Sequence, residues 1–384
     1  MNVLLVLATS GGGVGRHVAQ IAAGLAGSSG SASSQGSAGS GQGSSGHRVR
    51  VAGPAQTEQD FGFTAIGAGF DPLQIAARPR PLADRRTIER LRGLAAEADV
   101  VHAHGLRAGA LAALAVRRIR RGRRPKLVVT LHNALVSGGA IAVVHAVLER
   151  IVARGADVVL VVSADLGTAM RRRGARDVRP AVVPAPLLAA PQRPAAQVRR
   201  ELGVPPEVAL LVTIARLAPQ KGLDVLVDAV GRLSAAGVQV LAVVAGDGPL
   251  AAGLSEQAAE RAIPLRLLGR RTDVADLLAA ADLVVVPSRW EGQPLIVQEA
   301  LLAGAAIVAT DAGGTAEVAG DGAVLVPPGD PAALATAITD LLADPAALAT
   351  LRERARRRGL SLPSAEDALQ HVIAVYGSSR RPLS

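Results

Sequence analysis

Short runs rich in Val and Leu alternate with Ala-rich stretches of helical length from one end of the chain to the other, and that alternation admits few folds. A brief apolar run closed by Gly, His, Ser or Pro suits a strand buried on both faces. A helix between two such runs is the connection that parallel strands require. The pattern predicts α/β architecture, with doubly wound parallel sheets covered on both sides. In the first half the strand candidates are Asn2 to Ala8, Arg48 to Ala52, Val100 to Ala103, Leu127 to Leu131, Val158 to Val162 and Ala181 to Val183. A second set follows at Ala209 to Ala215, Gln239 to Ala245, Leu265 to Leu268, Leu283 to Val286, Ala306 to Ala309 and Ala323 to Val326. Helices are expected at Arg16 to Ala26, Leu223 to Ala235, Ala251 to Ala262 and Leu295 to Ala303, with two closing helices in Asp330 to Arg358.

At 384 residues, 49% of them hydrophobic, the chain is too long for one ordinary core. Residues 1–185 read as the first domain, the Pro-rich stretch 186–206 as a linker, and 207–362 as the second domain. Residues 363–384 hold a last helix, Ser364 to Tyr376, expected to return to the first domain, and then a basic tail. Residues 27–46 are almost wholly Ser, Gly, Ala and Gln and read as a disordered insert, because they bring too little apolar surface to offset their ordering entropy. Extending a loop from about 4 to about 24 residues costs only about 1.6 kcal/mol of closure entropy, so a domain tolerates it.

The chain has no Cys, which removes disulfide and thiolate chemistry and fits a cytoplasmic protein. Met1 to Ala8 lacks the basic start and the apolar length of a signal peptide and reads as a first strand. No run of about 18 uncharged apolar residues occurs, so no spanning helix is expected. The net charge of +10 favours anionic partners. Nucleotides and lipid headgroups are the expected ones; nucleic acid is not. The densest cationic stretch, Arg117 to Lys126, is either a solvated helix end or a surface that meets the acidic inner face of a membrane peripherally. Arginine outnumbers lysine 40 to two, with aromatics at 1%, the mark of a GC-rich genome. Lys221 is one of the two lysines, and a lysine kept there points either to a need for a compact ammonium rather than a planar fork or to chance survival.

Chemistry concentrates after the strands. Ser10-Gly11-Gly12-Gly13-Val14-Gly15 follows the first strand and opens a helix, where backbone N–H groups can approach a phosphate or sugar closely. It departs from the dinucleotide fingerprint, since Arg16 holds the third glycine position and no acidic residue follows at the expected distance. His102 and His104 lie two apart at a strand end and so face one side. They fit either substrate contact, chiefly by His104, or structural hydrogen bonding; His132 and Asn133 end the next strand and could line the same cleft. In the second half Arg216 and Lys221 follow one strand, Gly246-Asp247-Gly248-Pro249 the next, Glu291 and Glu299 a later one, and Asp311 to Glu317 another. All of these fall at the carboxyl edge of a parallel sheet, where such folds bind ligands. Two cations with two carboxylates suit a substrate whose leaving group is a diphosphate and whose remainder is rich in hydroxyls.

With these residues in place the chain resembles the retaining glycosyltransferases of family 4, which have the GT-B fold: two Rossmann-like domains facing across a cleft. The resemblance covers nearly the whole length and is strongest from Leu211 to Val326, where the two glutamates separated by seven residues are its most specific mark. It implies a metal-independent enzyme that moves a hexosyl unit from a UDP- or GDP-sugar to a hydroxyl acceptor, with no cofactor beyond the donor itself. By that resemblance Arg216 and Lys221 hold the diphosphate with the N–H groups of Leu295 and Ile296. Glu299 binds ribose hydroxyls, Glu291 the donor sugar, and backbone near Gly246 and Arg270 frames the nucleotide. Gly12, Gly13 and His104 act from the first domain. The absence of any Asp-x-Asp triplet fits a design without a bridging metal. Gln293 stands where the family often has an aromatic, and Ala185-Pro186 where it often has Asn-Gly. Two other functions fit the same fold: a nucleotide-sugar epimerase and a nucleotide-binding protein without catalysis.

Overall fold

The computed structural model describes residues 1–8, 12–27, 47–76, 79–132, 140–184 and 188–378. Ser10, Gly11, Asn133, most of the Ser/Gly insert, Ala185, Pro186 and the basic tail lie outside the described residues. The chain divides into two compact units, Met1–Pro184 with Pro363–Ser384, and Ala185–Leu362.

In the first unit the elements run β1 (Asn2–Leu7), α1 (Gly13–Gly27), β2 (Arg48–Gly53), α2 (Ala55–Phe61), β3 (Gly69–Pro72), α3 (Pro81–Ala96), β4 (Val100–His104), α4 (Leu106–Arg117), β5 (Lys126–Leu131), α5 (Ala140–Gly155), β6 (Val158–Val161), α6 (Ala164–Arg172) and β7 (Val178–Pro180). The strands form one seven-stranded sheet in the order β3-β2-β1-β4-β5-β6-β7, parallel throughout. The second unit continues with α7 (Ala195–Glu201), β8 (Ala209–Ile214), α8 (Leu223–Ala235), β9 (Val240–Ala245), α9 (Ala251–Glu260), β10 (Leu265–Gly269), α10 (Val274–Ala280), β11 (Leu283–Val286), α11 (Leu295–Leu302), β12 (Ile307–Thr310), α12 (Thr315–Ala319), β13 (Val324–Val326), α13 (Pro331–Ala343) and α14 (Pro345–Leu360). Its six strands are also all parallel, in the order β10-β9-β8-β11-β12-β13. The last helix, α15 (Ala365–Gly377), belongs to the first unit.

Aliphatic side chains build both cores. Helix α8 alone buries Leu223, Val225, Leu226, Val227, Ala229, Val230 and Leu233, against strand residues such as Leu211, Val244 and Val285. Aspartates N-cap the closing pair: Asp330 accepts from Ala332 and Ala333, Asp344 from Ala346 and Ala347, each with Pro at the first helical position. Ser364 and Asp367 make a capping box that starts α15. Its far end is fixed inside the first unit by Lys126, whose Nζ donates to the carbonyls of Val375 at 2.5 Å and Ser378 at 2.5 Å.

Three elements differ from the sequence expectation. Strand β3 carries no apolar alternation and lies at a sheet edge, where a bidentate Arg50–Asp71 pair (3.0 and 2.8 Å) joins it to β2. The opposite edge strand is Val178–Pro180 rather than Ala181 to Val183; Ala181 still donates to Val161 O at 2.7 Å. The stretch read as a linker contains α7, entered through Pro194, and its Val198 is buried with Leu202 and Val204 against Leu210 and Val212 in the second unit. Proline marks a helix start there, not a spacer. Among the described residues no single helix is long and apolar enough to cross a membrane.

Candidate active site

Both sheets reverse strand order once, and the loops at a reversal diverge to leave a crevice at the carboxyl edge. In the second unit the reversal falls between β8 and β11, whose register pairs Leu211 with Leu283 and Val212 with Val284. The loop after β8 carries Arg216 and Lys221, and the loop after β11 carries Glu291. Topology alone therefore brings residues 70 positions apart in sequence to one place.

Lys221 Nζ lies 2.6 Å from Glu291 Oε1, and the buried Ser288 Oγ donates to the same oxygen at 2.6 Å. Both bonds fall on Oε1, which leaves Oε2 without a partner among the described residues. Further bonds join the two loops: Gln220 Nε2 donates to Trp290 O at 2.9 Å, and the Arg289 amide donates to Gln220 O at 2.8 Å. Below them Thr310 donates to Ser288 O at 2.5 Å. Two glycines permit this closeness. Gly222, at φ +59°, sits so that a Cβ would come 2.0 Å from Pro287 O; Gly313, at φ +60°, would bring one 1.9 Å from Glu291 O. Any side chain at either place pushes the Glu291 loop away.

The other expected residues of this unit lie on the same sheet edge. Arg216 is exposed, and its guanidinium makes no hydrogen bond or ion pair among the described residues. Gly246 follows β9, its amide bonded to Gly269 O at 2.8 Å, and Leu217 donates to Asp247 O at 2.7 Å, so the loops after β8, β9 and β10 are tied together. Arg270, just after β10, is exposed. Leu295 and Ile296 open α11 behind Pro294, and their amides, in the first turn, have no intrahelical acceptor. Glu299 is half-buried one turn further along α11.

The first unit's reversal lies between β1 and β4, where Leu7 pairs with His104. Gly12, exposed at φ +98°, and Gly13, the first residue of α1, follow β1. At the end of β4 the two histidines separate in role. His102 is fully enclosed, with Nδ1 2.8 Å from Tyr376 Oη and Nε2 2.7 Å from Thr130 Oγ1, so both its nitrogens serve structure. His104 Nδ1 lies 3.3 Å from His132 Nε2, while its buried Nε2 has no partner among the described residues. His17, on the first turns of α1, completes the group, its ring centroid 5.7 Å from His104 and 5.6 Å from His132. Sequence reasoning missed His17, Ser288 and Trp290. The signal for Ser288 was its place three residues before Glu291 at a strand end; His17 had none beyond lying one turn into the helix after the glycines.

Burial dominates the electrostatics of this cluster. Desolvation lowers His17 to about 4 and His102 to about 3, and it holds His104 and His132 well below the usual imidazole range, with neighbouring imidazoles adding repulsion to the last three. The rings are neutral at pH 7. Among the described residues no group of three or more side chains has the arrangement of a metal site.

Two all-parallel Rossmann-like units with their loops gathered at the sheet reversals define the GT-B class. HepE of Anabaena, solved with UDP, matches at TM-score 0.77 over 98% of this chain and 99% of its own, at 21% identity. Sucrose-phosphate synthase of Thermosynechococcus elongatus matches at 0.74 over 98% of both chains, at 19% identity. The profile for "Glycosyl transferase 4-like domain" matches residues 12–186, and that for "Glycosyl transferases group 1" matches residues 195–358. D-inositol 3-phosphate glycosyltransferase 1 of Catenulispora acidiphila is 32% identical over 314 residues, which span 73% of this chain and 72% of that one. Glycogen synthase of Mycobacterium tuberculosis is 29% identical over 381 residues, 91% of this chain and 87% of the relative. The chain belongs to the group 1, family 4 glycosyltransferases and is a glycosyltransferase.

Proposed function

We propose that the protein is a retaining hexosyltransferase that takes its sugar from a nucleotide diphosphate, UDP or GDP, and passes it to a hydroxyl acceptor without a metal. The observation that carries this is the Lys221–Glu291 pair at the reversal of the second sheet, with Arg216 exposed on the same edge. Supporting it, HepE was solved with UDP and with UDP-glucose, and a relative 30% identical over 191 residues is a GDP-mannose-dependent mannosyltransferase.

As the bond from the sugar to phosphate lengthens, negative charge grows on the diphosphate, and fixed donors there lower the barrier. Lys221 and Arg216 supply cations, and the amides of Leu295 and Ile296 supply donors at a helix start. At an effective dielectric of about 20, one cation at about 4 Å contributes roughly 4 kcal/mol before desolvation, a term a metal supplies in other designs. Lys221 gives up part of its bond to Glu291 as the diphosphate arrives. Glu291 then turns its unpartnered Oε2 to a sugar hydroxyl, with Ser288 still holding Oε1. Glu299 takes the ribose hydroxyls, and backbone at Gly246 and Arg270 borders the base. In the first unit His104 has an Nε2 unpartnered among the described residues, and by the family resemblance it would serve the sugar, with Gly12 and Gly13 serving the diphosphate. No protein nucleophile is assigned; the acceptor attacks on the face from which the diphosphate departs.

Trp290 is the chain's single tryptophan, buried and adjacent to Glu291, and therefore reports on this site. Titration with UDP and GDP should change its fluorescence, and the nucleotide that binds names the donor series to assay. Product analysis with that donor, in the presence and absence of acceptors and of EDTA, should give transfer only with an acceptor and at a rate indifferent to EDTA. An isomerised donor formed without acceptor would replace this reading with an epimerase. Loss of turnover on chelation would remove its metal-independence.

A further inference from the structure

Helix α5 presents solvent with an unusual face. Ile141, Val143, Val144 and Val147 are 56%, 66%, 41% and 54% exposed, within the helix's first two turns. Its last two turns continue the same face with Arg150 and Arg154, both exposed. On the opposite side Val152 and Ala153 are buried; Ile141, eleven residues before Val152, lies toward that side, so the exposed stripe in line with the arginines is Val143, Val144 and Val147. Single exposed aliphatic residues need no explanation, but three clustered in one stripe mark an interaction surface.

We propose that this face docks on a bilayer containing anionic lipid. Its apolar part, from Val143 to Val147, is the kind of strip that a helix lying in the interface plane buries in the boundary between headgroups and acyl chains. Arginines follow where the phosphates of such a layer would lie. The only carboxylate of α5, Glu149, is held by His145 at 3.1 Å and by Arg173 at 3.0 Å, so nothing on the helix opposes the attraction. Helix α4 packs along α5 and ends in the exposed arginines between residues 117 and 123, which widens the cationic zone. A second copy of the chain fits less well, because a two-fold contact through this face sets arginines either near arginines or against the other copy's apolar turns, both costly. A protein partner normally meets aromatic or Met anchors alongside Arg, and this face has Arg without any such anchor.

Co-sedimentation of the full chain with vesicles tests this without reference to sugar transfer, so its failure and that of the proposed function are separate. Phosphatidylcholine vesicles containing about one third phosphatidylglycerol should capture the protein at low salt and release it at high salt. The R150Q/R154Q variant should bind about 25-fold more weakly, at roughly fivefold per charge. The V143D/V147D variant, altered only at exposed positions, should lose at least about tenfold in partition while melting as the parent does. Absence of capture at low salt, or parental capture of V143D/V147D, overturns the proposal. So does a dimer, seen in sedimentation equilibrium, that V143D/V147D dissolves, since it would give the face to a second copy.

Discussion

Lys221 Nζ and Glu291 Oε1 meet at 2.6 Å across the two loops that flank the reversal of the second sheet. The carboxylate neutralises the ammonium across the loops, and on the proposed function an arriving diphosphate would take over part of the lysine's bond. A compact ammonium suits this exchange, since it can face Glu291 and a phosphate oxygen together. Lys221→Ala should lower turnover by about a hundredfold, the scale of a lost oxyanion donor. Lys221→Arg should fall well short of the parent, because a planar fork cannot occupy the same point. Steady-state rates with the donor identified by the Trp290 titration decide this; near-parental turnover of Lys221→Ala would remove the lysine from the mechanism.

Ser288 is expected to act through Glu291. It is 2% exposed and donates to Glu291 Oε1, fixing which oxygen faces outward. Ser288→Ala should leave nucleotide binding near parental and lower kcat about tenfold, with a stability loss of about 1 kcal/mol. Ser288→Thr, which keeps the hydroxyl, should recover part of that rate. A variant that lost nucleotide affinity instead would assign the serine to the diphosphate rather than to the carboxylate.

The parallel sheets, and the gathering of Arg216, Lys221, Gly246 and Glu291 at one sheet edge, were legible because each rests on local pattern: apolar runs and the charges and glycines at strand ends. What escaped depends on contacts between distant residues. His17 joins His104 and His132 because the sheet sets β1 beside β4 and β4 beside β5, so that Leu7 pairs with His104 and His104 with Thr130. Strand β3 was hidden because Gly69-Phe-Asp-Pro72 has no alternation, and Arg50 on the neighbouring strand supplies its anchor. The two lysines teach the same lesson from opposite sides. Lys221 stood out in sequence by the scarcity of lysine and its place after a strand, whereas Lys126 sat in an arginine-rich stretch and proved to be a buried donor to the end of α15, 249 residues away in sequence.

Gly222 should be far less replaceable than its conformation alone implies. Its φ of +59° resembles the +76° of Gly237, but Gly237 faces open space while a Cβ on Gly222 would meet Pro287 O at 2.0 Å. Gly237→Ala should cost about 1 kcal/mol, the left-handed penalty. Gly222→Ala adds displacement of the loop that carries Ser288 and Glu291 and should cost about 2–4 kcal/mol. Denaturant unfolding of both variants gives the difference, and equal losses would show that the Pro287 contact relaxes freely.

The histidine cluster should make the first unit sensitive to acid. His17 titrates at about 4 and His102 at about 3 when folded, with His104 and His132 also lowered, while in the unfolded chain each returns to about 6.5. Below about 6.5 the unfolded chain therefore binds more protons than the folded one, so stability falls as pH drops toward 4 and is fully present above 7. Each histidine contributes about 1.4 kcal/mol per pH unit within that window. The unfolding midpoint should be level between pH 7 and 8 and fall steeply by pH 5. His17 has a buried Nδ1 with no hydrogen-bond partner among the described residues, so His17→Leu should be tolerated and should make the fall shallower by one histidine's share. An unchanged slope in that variant would mean that His17 gains no proton when the chain unfolds.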